Sequence, residues 1–281
     1  MLHRYILHND GIREASEPTL RAGQVGLLAG WGVFSTIKVA RGVLFAYERH
    51  WARMERDAAA FHIPLPGSRE EIRERLLRLV AANQAFNSTM RVVFVRNQGG
   101  MWQGPNGGRA TDLIALTADS KDWGEGVKLC YTPQARHSQC NFAGTKILSW
   151  AMNLTWLEDA QARGCDETIL LNERGEVAEC TSANLFIARG GEVLTPPLSS
   201  GCLPGVTREI LLSEIRVPGY AIRERTLAPA DLEEADDVFI TSTTRDLLPV
   251  LEIEGRRIVP RGDARRTLGS AFADYVRRYL A

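Results

Sequence analysis

Lysine is scarce in this chain: only four of its 34 basic residues are lysines, Lys38, Lys121, Lys128 and Lys146. A net charge of either sign is missing too, because 34 acidic residues balance the basic ones. No summed field therefore draws the chain to a nucleic-acid backbone or an anionic membrane surface. No apolar run approaches the ~18 residues a membrane-spanning helix needs. The start, Met1-Leu2-His3-Arg4-Tyr5, lacks the apolar core of a signal peptide. A cytoplasmic protein without nucleic-acid or membrane partners is expected. The five cysteines (Cys130, Cys140, Cys165, Cys180, Cys202) are odd in number and scattered, with no pair at zinc-site spacing. They read as reduced, mostly buried thiols, and no metal is expected. The chain also has no internal repeat, low-complexity segment or dinucleotide-binding glycine fingerprint.

What remains is an ordinary globular composition, 44% apolar and 24% charged over 281 residues, enough to bury a substantial core in one large domain or two modest ones. The first third reads as hairpins and helices. Strands are expected at 5–8, 33–39 and 43–47, with tight turns at Asn9-Asp10-Gly11 and Arg41-Gly42. The stretch 48–62 reads as a helix stopped by Pro64-Leu65-Pro66, and 69–83 as a second, with Ile72, Leu76, Leu79 and Val80 on one face. Strands follow at 90–95 and 113–117, separated by a glycine-rich loop over 97–108. The polar stretch 118–126 reads as a linker. Beyond it come a strand at 127–131, a helix at 147–163 closed by Gly164, and strands at 167–171, 220–223 and 238–241. Asp263 can cap a last helix whose Leu268, Phe272, Tyr275, Val276 and Tyr279 share a face. This is a mixed α+β pattern rather than a regular βαβ array.

Lys146 stands out among the lysines, placed after Gly144-Thr145 and before Ile147-Leu148, where a loop is expected to enter a helix. A desolvated lysine amine loses basicity and becomes nucleophilic toward an aldehyde. On local context alone a solvated helix-start lysine is the better reading. The downstream run decides between the two. It comprises Gly164 to Asn172, then Gly175-Glu176-Val177-Ala178-Glu179-Cys180-Thr181-Ser182-Ala183-Asn184-Leu185-Phe186, Thr195-Pro196-Pro197-Leu198, and Gly201-Cys202-Leu203-Pro204-Gly205-Val206-Thr207-Arg208. In order and spacing this run resembles the class-IV aminotransferase signature, and the resemblance extends from the first hairpin almost to the C-terminus.

The resemblance implies an α+β fold of the two-domain fold-type IV pyridoxal 5′-phosphate (PLP) architecture. A small N-terminal α+β domain would cover 1–117, an interdomain linker 118–126 and a larger C-terminal PLP-binding domain 127–281, with the cofactor between the domains. Carried over residue by residue, the lysine that holds PLP as a Schiff base falls on Lys146, and the carboxylate partner of the pyridine nitrogen on Glu179. The phosphate contacts fall on Arg53, on the backbone of Gly205, Val206 and Thr207 at a helix start, and on Thr243. An anionic carboxylate keeps the ring nitrogen protonated, so the ring can accept the electron pair released at the substrate α-carbon. A free helix N-terminus and a cation suit a phosphate.

The reaction is less constrained. The stretch from Arg91 to Pro105 is similar to branched-chain aminotransferases, but Thr89 and Ala151 stand where those enzymes have tyrosines. D-amino-acid transaminases usually offer an arginine and a histidine after this strand; here Arg96 is kept, while Met101-Trp102-Gln103 supplies no histidine. Aminodeoxychorismate lyases resemble the chain at Gly32 to Thr36, but Met101 replaces their usual arginine. An amino-acid aminotransferase moving an amino group from an amino donor to a 2-oxo acid acceptor is expected, with 4-amino-4-deoxychorismate lyase as the alternative. A non-catalytic PLP-binding protein would keep the phosphate contacts and lose the lysine or the acid; both are present. Arg91, Arg96 and Trp102 are the candidates for substrate contact, and a homodimer is expected because family members commonly form one.

Overall fold

The computed structural model describes residues 1–20, 23–100 and 108–281. The chain divides into two units. The first comprises Met1–Lys121, Lys146–Trp150 and Leu280; the second comprises Asp122–Thr145, Ala151–Tyr279 and Ala281.

The first unit contains β1 (Leu2–His8), β2 (Gly11–Glu14), α1 (Val25–Ala29), β3 (Gly32–Ala40), β4 (Val43–Leu44), α2 (Tyr47–Ala60), α3 (Arg69–Asn83), β5 (Ser88–Arg96) and β6 (Thr111–Ala118). Its strands form one antiparallel sheet in the order β2-β1-β6-β5-β3-β4. The β3–β4 hairpin closes on Arg41 (φ 51°) and Gly42 (φ 79°), both in the positive-φ region a two-residue turn of this twist requires. β4 is shorter than the expected strand at 43–47: Ala46 adopts a left-handed conformation (φ 52°, ψ 37°), and Tyr47 already begins α2. α3 starts on a capping box, in which Ser68 accepts from the Glu71 N–H and the Glu71 carboxylate takes the Ser68 N–H. Its buried Ile72, Leu76, Leu79 and Val80 join Val39, Trp51, Met54, Met90, Phe94 and Leu113 in one core. Burying each such side chain contributes about 1.5–3 kcal/mol.

Two expectations fail at residues 146–150. The helix expected from 147 begins only at Ala151, and this stretch groups with the first unit rather than with the residues on either side of it. The cause is backbone pairing with β3: Phe34 N–H donates to the Lys146 carbonyl at 3.0 Å, Leu148 N–H donates to Gly32 at 2.9 Å, and Val33 bridges Ile147. Lys146 therefore sits in an extended segment, not at a helix start.

The second unit contains β7 (Val127–Arg136), α4 (Ala151–Ala162), β8 (Glu167–Asn172), β9 (Val177–Cys180), β10 (Asn184–Arg189), β11 (Glu192–Thr195), α5 (Val206–Ser213), β12 (Ala221–Glu224), α6 (Pro229–Glu234), β13 (Asp237–Ser242), β14 (Asp246–Ile253), β15 (Arg256–Arg257) and α7 (Ala264–Tyr279). The sheet runs β12-β11-β10-β13-β14-β7-β8-β9, with β15 on β14. It mixes parallel pairs (β11–β12, β14–β7, β7–β8) with antiparallel ones. Phe186 and Phe239 face each other across β10 and β13 and stack at 5.3 Å between centroids. Strands β8, β9 and most of β10 are buried throughout, the polar Glu167, Thr168, Asn172, Glu179 and Asn184 included. Among the described residues no helix is long and apolar enough to cross a membrane, and no group of three or more His, Cys, Asp or Glu could hold a metal ion.

Candidate active site

In the first unit, α2 buries His50, Arg53, Met54 and Asp57 at helical spacing. Arg53, 8% exposed, donates from Nη2 to Ser35 Oγ at 2.9 Å, and Ser35 Oγ lies 2.8 Å from His50 Nδ1. Because Ser35 accepts from Arg53, its one hydroxyl proton can go to Nδ1, which puts the proton of a neutral imidazole on Nε2. His50 is held neutral first by complete burial and then by the charges of Arg53 and Lys146, which together keep its pKa well below the usual 6.5. Its Nε2 is buried with no hydrogen-bond partner among the described residues.

One turn beyond Arg53, the buried Asp57 accepts the Lys146 backbone N–H on Oδ2 at 3.0 Å. The Lys146 amine lies 4.6 Å from the centroid of the Phe34 ring and 6.0 Å from that of Trp150, and the two rings meet edge to face at 6.1 Å. Arg91, on β5, places its guanidinium 4.5 Å from the same Phe34 ring. Burial makes the Arg91 guanidinium less basic than a free one, and Arg91 makes no ion pair among the described residues.

In the second unit, Glu179 on β9 is held at both oxygens: Arg136 Nε donates to Oε1 at 3.0 Å and the Leu203 N–H to Oε2 at 3.0 Å. Two residues past Leu203, Gly205 forms the N-cap of α5, and no side chain caps that helix. The first turn of a helix leaves N–H donors without intrahelical partners, and its dipole favours an anion there. Val206 and Thr207, each 3% exposed, supply that turn. Only glycine fits the cap, since a Cβ on Gly205 would lie 2.0 Å from Asn184 Oδ1, and Asn184 is itself tied to the Leu203 carbonyl at 2.8 Å.

Thr243 lies in the turn between β13 and β14. Arg245 braces that turn. Its Nη1 donates to Ser182 Oγ at 3.0 Å, its Nη2 to the fully buried Glu167 at 3.3 Å, and its guanidinium lies 3.8 Å from the Trp123 ring centroid. Trp123 in turn donates to the Thr244 carbonyl at 3.0 Å. Glu167 also accepts the Thr181 N–H at 3.2 Å and the hydroxyls of Thr181 and Ser182.

Of the residues singled out in the sequence, Lys146 and Arg53 are brought to α2 within the first unit, and Glu179 is joined through Leu203 to the Gly205–Val206–Thr207 helix start within the second. Arg96 is occupied elsewhere: it donates to the carbonyls of Gln98 and His62, each at 2.7 Å, and lies 3.9 Å from the Trp31 ring. Those contacts tie the end of β5 to His62 and Trp31. Trp102 lies outside the described residues. Sequence reasoning passed over Ser35, His50, Asp57, Arg136 and Asn184. The spacing of His50, Arg53 and Asp57 on one helix face was a usable signal, and Asn184 lies within the matching run, whereas nothing local marks Arg136.

The model of the class IV amino-transferase family matches residues 32–253, and the chain belongs to that family. It is therefore an enzyme, an amino-acid aminotransferase that uses PLP to move an amino group between an amino acid and a 2-oxo acid. A Methanocaldococcus jannaschii protein named for branched-chain-amino-acid aminotransferase activity is 30% identical over 255 residues, covering 89% of this chain and 88% of its own. The D-alanine aminotransferase of Bacillus licheniformis is 29% identical over 257 residues, covering 90% and 89%. The fold matches that of the branched-chain amino acid aminotransferase from Thermobaculum terrenum in its PLP form, with a TM-score of 0.86 at 22% identity, over 99% of this chain and 96% of that one. These likenesses confirm the α+β, fold-type IV architecture expected from the sequence. Nothing among them favours the lyase alternative.

The residues present fit PLP. Its aldehyde needs an amine, its ring nitrogen a carboxylate and its phosphate a cation with N–H donors. Groups of these kinds are present: in the first unit a lysine beside aromatic rings and a buried arginine, in the second a carboxylate oriented by two donors and an uncapped helix N-terminus.

Proposed function

We propose that Lys146 is the residue that binds PLP covalently, and that Glu179 pairs with the ring nitrogen. Arg53, the N–H groups of Gly205, Val206 and Thr207, and Thr243 hold the phosphate. When bound, PLP supplies an aldehyde carbon for an amine and a protonated ring that accepts the electron pair released at the substrate α-carbon. Lys146 Nζ would hold the cofactor and, when the substrate amine takes its place, would accept and return the proton at the substrate α-carbon. Glu179 keeps the ring proton in place, and its two fixed donors keep its oxygens oriented.

The observation that carries this reading is the pairing of Lys146 with α2 through Asp57, on the helix face that also buries Arg53. It supports an amine anchored on the same element as a phosphate-binding cation. Arg91, half-buried with no acid partner among the described residues and sharing the Phe34 ring with the Lys146 amine, is the better supported of the two described substrate candidates and suits a substrate carboxylate. The relatives are named for branched-chain amino acids and for D-alanine at nearly equal identity, so we assign the donor class no further than amino acids of these two kinds. A homodimer in the cytoplasm completes the proposal.

The two half-reactions of a transaminase are separable. Adding a branched-chain L-amino acid or D-alanine without any 2-oxo acid should convert bound PLP to pyridoxamine 5′-phosphate one for one, read by absorbance, and a 2-oxo acid should restore it. Failure of both donors to convert the cofactor would remove these substrates from the proposal.

A further inference from the structure

We infer that Asp57 is a positioning residue for Lys146, setting the amine in register with Arg53; this rests on the proposed roles of Lys146 and Arg53. Asp57 is 1% exposed. A carboxylate that deep is costly unless its oxygens are hydrogen-bonded. Its side-chain bonds go to Arg56, at 3.0 and 2.5 Å on Oδ1, and to the Lys146 N–H at 3.0 Å on Oδ2. Arg56 is its chain neighbour with a half-exposed side chain, and it offsets the charge from within α2. Of Asp57's hydrogen bonds among the described residues, the one at Oδ2 ties α2 to the segment that carries the amine.

That bond departs from the pattern of the strand pair it ends. Phe34 N–H donates to the Lys146 carbonyl, and a regular antiparallel pair would return the Lys146 N–H to the Phe34 carbonyl. The Lys146 N–H goes to Asp57 instead. Asp57 thus draws the ladder's terminal donor onto α2, where Arg53 lies four residues earlier on the same buried face. One helical turn then fixes the spacing between the anchor of the amine and the cation for the phosphate. An alanine or leucine at 57 leaves the N–H to Phe34 or to solvent and turns the Lys146 backbone. An asparagine keeps a neutral acceptor in place.

The affected step is covalent capture, in which the neutral Lys146 Nζ forms a C=N bond to the aldehyde carbon of PLP and the aldehyde oxygen leaves as water. Positioning and general stability are separated by two ligands. Pyridoxine 5′-phosphate carries the ring and phosphate but no aldehyde, so its affinity, measured calorimetrically on the apoprotein, reports the pocket without capture. The rate and yield of PLP bound to Lys146, followed by absorbance and by borohydride trapping, report capture.

Asp57→Leu should slow capture at least tenfold and leave pyridoxine 5′-phosphate affinity within twofold, while Asp57→Asn captures as the wild type does. Asp57→Glu, which keeps the charge but moves the acceptor by a methylene, should show the same split more weakly and serves if Asp57→Leu does not fold. Wild-type capture in both Asp57→Leu and Asp57→Glu, equal loss of both ligands, or an Asp57→Asn as slow as Asp57→Leu would overturn the inference. Trapping of wild-type PLP on a lysine other than Lys146 would instead overturn the proposed function on which it rests.

Discussion

Arg136 Nε donates to Glu179 Oε1 at 3.0 Å while the Leu203 N–H holds Oε2, so the carboxylate is oriented by one side chain and one backbone donor, both within the second unit. The Leu203 donor precedes Gly205, the N-cap of α5, by two residues. The expected partner of the cofactor ring and the expected phosphate cradle are thereby tied together by one hydrogen bond.

Glu179→Ala should keep the cofactor and lose catalysis. The phosphate contacts are untouched, but the ring proton loses the anion that holds it. The expected fall in kcat is on the order of a hundredfold or more, as for other fixed charges aimed at charge that develops during reaction. Retained PLP is read from absorbance of the purified variant, and a kinetically silent Glu179→Ala would remove it from the ring nitrogen.

Arg53→Ala should act in the opposite sense. A hydrogen bond to a charged group is worth about 1.5–3 kcal/mol, which corresponds to a roughly 10- to 150-fold weaker PLP affinity. The loss should appear in the dissociation constant and be recovered in rate at saturating PLP. An unchanged dissociation constant would exclude Arg53 from the phosphate.

Gly205→Ala is expected to displace α5, because the new Cβ would stand 2.0 Å from Asn184 Oδ1. Overpacking of this kind costs about 1–3 kcal/mol, and PLP affinity should fall with it. Removing the obstructing oxygen in Gly205→Ala/Asn184→Ala should cost less than the sum of the two single changes in thermal melts. Strict additivity would show that the contact is not what makes glycine necessary.

Stability should depend on pH through His50. Burial lowers its folded pKa well below 6.5, so below pH 6.5 the unfolded chain binds a proton that the folded chain refuses. This contribution to stability is therefore full above pH 6.5 and is lost as pH falls, with a limiting slope of about 1.4 kcal/mol per pH unit for one proton. Urea unfolding of the wild type and of His50→Gln between pH 7.5 and 5 checks this: the variant should show the shallower dependence, and parallel curves would contradict the buried neutral imidazole.

Much of the fold was legible because its signals are local. The α3 helix runs Arg69–Asn83 as its apolar period predicts, since Ser68 and Glu71 form a capping box that needs no distant partner. The Arg41-Gly42 turn was readable for the same reason. The stretch 146–150 was not: Ile147, Leu148 and Trp150 satisfy a helical face and an extended edge equally well, and β3, which selects the edge, is remote in sequence. The site divides along the same line. Lys146, Glu179 and the Gly205 cap sit in an ordered motif, whereas Asp57 and Arg136 acquire meaning only from what lies across from them. A buried carboxylate on a helix rich in charge looks like a solvated face until its partner, a backbone N–H 89 positions later, is known.

The central claim, that this class IV aminotransferase carries its cofactor on Lys146, is tested most directly by reducing the PLP-loaded protein with borohydride and mapping the modified peptide by mass spectrometry. The account predicts a single phosphopyridoxyl group on Lys146, absent from Lys146→Ala. Modification of Lys38, Lys121 or Lys128 in its place, or full retention of the adduct in Lys146→Ala, would contradict it.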